Sequence, residues 1–222
     1  MRNPKKFDYK NNAGWRMFRI MGEFTEGFEF ISTLQNSVTI FGSARFDEKN
    51  KWCKEAEKLS RMLSDKGHHI VTGGGPGIME AANKGAFGKT PGDSVGLNIQ
   101  LPKEQRTNPY VERSMGFHYF FTRKVCMTFA ANAFVYFPGG FGTLDELFEI
   151  ITLVQTKKIE KIPIVLIGRD FWVPLFKLLK EKLVKEYGTL ENKDLDLAAI
   201  FDNAEDAFKY IHRELRKKGR AS

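Results

Sequence analysis

The sequence predicts an α/β fold, a Rossmann-like, doubly wound, mostly parallel sheet with helices on both faces and an extra N-terminal helix. Three observations predict it. Short apolar runs alternate with helical patterns, the order that builds parallel sheets through crossover helices. The run Ile162–Ile167 is apolar almost throughout, as a strand buried on both faces must be. Two glycine clusters each follow a strand and open a helix, at the edge where open sheets bind ligands.

Each element has its own signal. From Trp15 to Leu34 the residues Phe18, Met21, Phe24, Phe28, Ile31 and Leu34 recur three or four apart. That period predicts an amphipathic helix, which Gly22 and Gly27 weaken. Val38–Phe41 reads as the first strand and leads to Gly42-Ser43; a helix over about 50–66 stops at Gly67. His69–Thr72 leads to Gly73-Gly74-Gly75-Pro76-Gly77 and a helix reaching about Phe87. Ser94–Ile99 is the next strand, followed by a polar loop over 100–115 with Pro102 and Pro109. Gly116–Phe121 is expected as a short strand and Thr122–Asn132 as a helix. Ala133–Phe137 is a strand ending at Pro138-Gly139-Gly140-Phe141-Gly142, and a helix over 143–156 follows. A strand over 162–167 and helices at about 171–187 and 203–218 complete the order. The expected organisation is a tail and helix over 1–35, a nucleotide-binding domain over 36–213 and a basic tail over 214–222.

Composition bounds the function. With 222 residues, 42% hydrophobic and 28% charged, the chain has ordinary globular composition. Residues 1–20 and 209–222 each carry six basic residues against one acid. These two ends, at +5 each, leave residues 21–208 at −2 out of the total of +8. A nucleic-acid footprint clusters on one face or element, so no nucleic-acid partner is expected. No apolar run is long enough to span a membrane, and the first twelve residues lack a leader's apolar stretch. Cys53 and Cys126 fit a reducing, cytoplasmic setting, and His68, His69, His118 and His212 lack metal-ligand spacing.

Both glycine loops suit an anion. Glycine lets the backbone approach a ligand, and a helix N-terminus offers free N–H groups and a positive dipole to a phosphate. Neither loop is the dinucleotide fingerprint, because its third glycine falls on Ile78 or Glu80. Gly88-Lys89-Thr90 mimics the end of a P-loop, but Asn83 stands where that motif opens. A mononucleotide or sugar phosphate fits better. Thr143-x-x-Glu146 also matches a capping box, with Thr143 as N-cap and Glu146 at the third helical position. Glu80 and Lys84 match an i,i+4 helical pair. Arg123, among Phe120, Phe121, Val125 and Met127, reads as a guanidinium on a mostly buried segment that needs an anionic partner.

The combination of GGGPGIMEAANKGA (73–86), Arg123-Lys124 and PGGFGTLDE (138–146) resembles the Lonely Guy family. Its members are cytokinin-activating nucleoside 5′-monophosphate phosphoribohydrolases, and many bacterial ones carry the label "possible lysine decarboxylase". The similarity covers about residues 36–212, and the extra helix is like that of the larger bacterial members. The resemblance implies hydrolysis of the N-glycosidic bond of AMP or N6-modified AMP, with no cofactor. It implies Arg123 and Glu146 as catalytic residues. It also implies substrate contacts from Gly42, Ser43, Gly74, Gly75, Gly77, Glu80, Lys124, Gly139, Gly140, Gly142 and Thr143. It further implies a homodimer or higher homo-oligomer. The alternative is a non-catalytic nucleotide sensor on the same fold. The decarboxylase label asks for a pyridoxal-phosphate lysine, and Lys84, Lys89 and Lys124 lack a recognisable cofactor setting.

Overall fold

A computed structural model describes residues 13–88, 92–100 and 107–217. In chain order the elements are α1 (Ala13–Ser32), β1 (Ser37–Phe41), α2 (Lys51–Ser64), β2 (His69–Thr72), α3 (Ile78–Ala86) and β3 (Ser94–Ile99). There follow β4 (Arg113–Phe117), α4 (Phe120–Ala130), β5 (Ala131–Tyr136), α5 (Phe141–Gln155), β6 (Ile164–Ile167) and α6 (Arg169–Leu179). After α6 the helix widens into π turns over Lys180–Glu186, and α7 (Asn192–Leu195), β7 (Ala199–Phe201) and α8 (Ala204–Lys217) close the chain.

The seven strands form one sheet in the order β4-β3-β2-β1-β5-β6-β7, with every pairing parallel. The sheet grows from β1 outward to β4, then resumes on the other side of β1 with β5. The connections therefore diverge between β1 and β5, and they leave a crevice beyond the carboxyl ends of those two strands.

Each strand residue chooses a face by alternation. On β5 and just beyond it, Ala133, Val135 and Phe137 pack with Leu59, Leu63, Ile78 and Ile211 from α2, α3 and α8. Phe134 and Tyr136 face the other way, with Met127, Leu147, Ile150 and Trp172 from α4, α5 and α6. Both sets are fully or almost fully buried, which is why these strands read as apolar runs. None of the described helices is long and apolar enough to cross a membrane.

Three expectations need correction. The polar stretch 100–115 contains the start of an edge strand: β4 begins at Arg113 and pairs with β3 from Val95↔Arg113 to Ile99↔Phe117. Its sequence, RSMGF, is half-exposed and polar, so no apolar run marked it. The helix after it starts at Phe120 and ends at Ala130, and Asn132 belongs to β5. The helix after the second glycine loop begins at Phe141 with Gly140 as N-cap and no side-chain cap bond. Thr143 is thus inside the helix, and the capping box is not formed. The short elements α7 and β7 had no sequence signal. Residues 1–12, the P-loop mimic at 89–90, Pro102 and the end of the basic tail at 218–222 lie outside the described residues.

Candidate active site

Beyond β1 and β5 the surface opens into a cleft of about 820 Å³. Its floor is the turn Gly42-Ser43-Ala44-Arg45, and one wall is the start of α5 from Gly140 to Glu146. Arg123 and Phe120 of α4, Met79 of α3 and Phe41 of β1 form the rest. The turn and the loop are stitched together: Ser43 N–H donates to Pro138 O at 3.0 Å, and Ile78 N–H donates to Ser43 O at 3.0 Å.

The second glycine loop is open where a ligand would need it. A side chain added at Gly140 or Gly142 would meet nothing within 4 Å. Gly139 is different: a Cβ there would overlap Thr143 Oγ1, so this glycine serves the tight turn and does not line the cleft. With no side-chain cap, the first N–H groups of α5 keep their capacity to hold an anion.

Arg123 is positioned from three sides. Its Nε donates to Leu97 O of β3 at 2.6 Å. Gly73 makes room for it, since a Cβ there would overlap Arg123 Nη2. The start of its helix is held by Glu23 of α1, a carboxylate 9% exposed. Glu23 accepts from His118 N at 2.9 Å, Tyr119 N at 3.3 Å and Thr122 Oγ1 at 2.6 Å. A carboxylate over these N–H groups satisfies orphan donors and complements the helix dipole. The extra helix α1 therefore packs on its own subunit and supports the segment that carries Arg123. Burial works against the guanidinium's charge and lowers its pKa, while Glu146 works in its favour.

Glu146 is 7% exposed. Burial raises its pKa to about 7, against the opposing pull of Lys124 and Arg123. A carboxyl that burial pushes up toward neutrality in a cleft, beside a buried arginine, makes this cleft the candidate functional site. The cluster also has a firm base. Tyr136, fully buried, donates to the Glu146 backbone carbonyl at 3.3 Å and stacks on Phe41 with ring centres 5.1 Å apart.

The structure thus brings together Gly42, Ser43, Arg123, Gly140, Gly142, Thr143 and Glu146. It does not bring Gly74, Gly75, Gly77, Glu80, Lys124 or Gly139 to the cleft wall. Gly74 and Gly77 instead accept close approach by protein: a Cβ would overlap Asn98 Oδ1 at the first and Ser43 O at the second. Glu80 does not line the cleft, and its charge acts on Cys53 of α2; its neighbour Met79 lines the cleft instead. One residue along a helix is a 100° rotation, which spacing alone did not resolve. Nor does Glu80 hold Lys84, whose Nζ lies 3.2 Å from Glu57 Oε2. Lys124 forms ion pairs with Asp145 at 2.7 Å and Glu149 at 2.9 Å. Residues the sequence did not flag include Arg45, Met79 and Phe141. Arg45 follows the predicted Gly42-Ser43 contact by two residues, which is the one signal that pointed to it.

Comparison with known proteins places the chain in a family and a fold. The model of a family described as "Possible lysine decarboxylase" matches residues 79–211. A probable cytokinin riboside 5′-monophosphate phosphoribohydrolase of Oryza sativa subsp. japonica is 31% identical over 153 residues, covering 67% of this chain and 61% of the relative. A pyrimidine/purine nucleotide 5′-monophosphate nucleosidase of Escherichia coli K12 is 26% identical over 196 residues, covering 81% of this chain but 41% of the relative. The chain thus spans about three-fifths of the first relative's length and two-fifths of the second's. Among solved structures, the molybdenum cofactor carrier protein of Chlamydomonas reinhardtii superposes with a TM-score of 0.60 at 20% identity, over 82% of this chain and 99% of that one. That likeness concerns the fold alone.

Proposed function

The chain belongs to the possible lysine decarboxylase family, the Lonely Guy family, and from that premise we propose that it is a nucleoside 5′-monophosphate phosphoribohydrolase. It hydrolyses the N-glycosidic bond of AMP or an N6-modified, cytokinin-type AMP, releasing the free base and ribose 5-phosphate. One observation carries the reading: a buried carboxyl, Glu146, and a held arginine, Arg123, face one cleft beneath the open start of α5. The names of the plant and bacterial relatives support the same reaction class.

The chemistry follows from the parts. Gly140, Gly142 and Thr143 at the N-terminus of α5 receive the 5′-phosphate. That anchors the ribose with its anomeric carbon near Glu146. As the bond to the base stretches, positive charge builds on the sugar, and an ionised Glu146 stabilises it and orients the attacking water. Arg123, with its fixed planar fork, orients the nucleotide and offsets negative charge. Gly42 and Ser43 line the floor. The family's label suggests a different reaction, but none of the described residues lining the cleft is a lysine that could carry a Schiff base.

The protein works as a homodimer. Phe28 and Phe129 pack at 5.5 Å and Phe24 and Phe121 at 6.4 Å, so α1 and α4 present one continuous aromatic face. Phe129 is 65% exposed on that face, and Phe148 of α5 is exposed as well. Exposed aromatic side chains grouped on one face supply the apolar surface that a second copy of the chain would cover, which supports this reading. Sedimentation of the purified protein tests the dimer. Two buried free thiols suit a cytoplasmic location.

The function is tested by incubating the protein with a panel of nucleoside 5′-monophosphates and following free base by chromatography. Adenine release from AMP, nearly lost in Glu146→Gln and Arg123→Ala, is the expected result. No free base from any of them overturns the reading, and tight AMP binding without turnover would establish a sensor instead.

A further inference from the structure

Lys124 stands beside Arg123 on α4, and its ammonium reaches Asp145 on the cleft wall without itself lining the cleft. Its side chain is 16% exposed, and its ammonium lies 2.7 Å from Asp145 Oδ2 and 2.9 Å from Glu149 Oε2. Those carboxylates are four residues apart, so they stand one turn apart on the same side of α5. Glu146 lies between them in the chain. The lysine that follows Arg123 thus grips the two acids that flank Glu146.

We propose that Lys124 is a positioning residue for the hydrolysis, its double ion pair locking α4 to α5 so that Arg123 and Glu146 face each other across the cleft. The inference rests on the hydrolase reading, and it assigns Lys124 no contact with substrate. Two further observations support it. The other polar side-chain anchors near Arg123 run elsewhere: Glu23 ties the start of α4 to α1, and Arg123 Nε ties it to β3. The lysine bridges supply the register toward α5. Second, groups from three elements bear on Glu146. Arg123 and Lys124 come from α4, Asp145 and Glu149 from α5, and Tyr136 from β5. Burial raises Glu146, Lys124 is the largest influence lowering it, and Asp145 and Glu149 push it up again. Lys124 itself keeps its charge. Burial opposes that charge, but the bonds to Asp145 and Glu149 outweigh it and raise its pKa. Removing Lys124 therefore takes away a cation near Glu146 and unmasks two anions, and both changes favour the protonated acid.

The test measures kcat and KM for AMP across neutral pH in the wild type, Lys124→Met, Lys124→Arg and the double variant Asp145→Asn/Glu149→Gln. In Lys124→Met, kcat at neutral pH falls about 10–100-fold and the acid limb of the kcat profile moves up by about one pH unit. KM changes less than about threefold, because no substrate contact is lost. Lys124→Arg recovers most of kcat, since a guanidinium can also bridge two carboxylates. The double variant keeps the cation but frees it. Its kcat falls while the acid limb moves down, opposite to Lys124→Met, which separates the loss of position from the loss of charge. A KM raised tenfold or more with an unmoved limb would make Lys124 a substrate contact and overturn the proposal. An unchanged profile in Lys124→Met would overturn it too. An inactive wild type would instead overturn the hydrolase reading. In that event the Glu146 carboxyl titration by ¹³C NMR, wild type against Lys124→Met, still decides whether Lys124 acts on Glu146.

Discussion

The two glycine loops of this chain look alike in sequence and differ in what surrounds them. Both follow a strand, both open a helix, and both lie at the carboxyl edge of the sheet. The first, 73–77, is filled by the protein itself. Gly74 N–H donates to Thr72 Oγ1 at 2.9 Å, and Gly74 and Gly75 carbonyls accept from Asn108 at 2.9 and 3.0 Å. Asn83 Oδ1 accepts from both Thr72 and Asn108, and its amide reaches Ser94 at 2.8 Å. This buried polar network knits α3, β2, β3 and the 107–110 segment together, with the glycines making room for their neighbours. The second loop leaves Gly140 and Gly142 facing empty space beside Arg123 and Glu146. A glycine cluster after a strand therefore shows that the backbone is closely approached. Whether the approaching group is protein or ligand depends on what else is there.

The largest expected effect tests the open side. Glu146→Gln lowers kcat about 10³-fold, some 4 kcal/mol of transition-state stabilisation, measured as free base released from AMP. Loss of less than tenfold would break the assignment of this loop as the reacting one. The filled loop is sensitive in stability. Gly74 sits at φ +69°, and a Cβ would overlap Asn98. Gly74→Ala should cost about 2–4 kcal/mol in urea unfolding, from left-handed strain plus overpacking.

The matching change in the open loop reverses the sign. Gly142 is in the first turn of α5 with free space around it, so Gly142→Ala leaves stability unchanged or raises it by about 0.5 kcal/mol. The methyl group intrudes on the phosphate position, and KM for AMP rises about 10–50-fold. Equal stability losses in the two alanine variants would erase the distinction between the loops.

The smallest effect concerns pH. The folded Glu146 carboxyl titrates near 7 because burial disfavours its charge, against an ordinary value of 4.5. As pH rises through that window the unfolded chain ionises first, so the wild type loses stability, and the loss is complete above pH 7. Glu146→Gln escapes it. The variant should match the wild type below pH 4.5 and exceed it by about 1–2 kcal/mol at pH 8, read from thermal or urea unfolding. A difference that grows toward acid would place the burial cost elsewhere.

Legibility followed the range of the cause. Strands β1, β2 and β3 and helix α2 stand within a residue or two of where their apolar runs and stops predicted them, because those signals are local. Edge strand β4 was misplaced because RSMGF has one exposed face and earns its pairing only from β3. The start of α4 depends on Glu23, some 95 residues upstream of the N–H groups it receives. The Thr143–Glu146 capping box failed because α5 starts two residues earlier, at a loop that leaves its N–H groups open. Among the residues that the resemblance implied, Arg123 and Glu146 line the cleft, whereas Glu80 and Lys124 do not.

By itself the sequence determined the parallel α/β class and the two glycine turns at one sheet edge, since backbone dihedrals and hydrophobic period are properties of neighbours in the chain; the pairing of Arg123 with Glu146 came from the family resemblance. Tertiary structure alone decided which glycine loop stays empty, that Lys124 clamps Asp145 and Glu149, and that burial lifts Glu146 into the neutral range. Those outcomes depend on which atoms occupy a space and how much water they exclude. The groups responsible are separated by up to about a hundred residues and meet only when the sheet closes between β1 and β5.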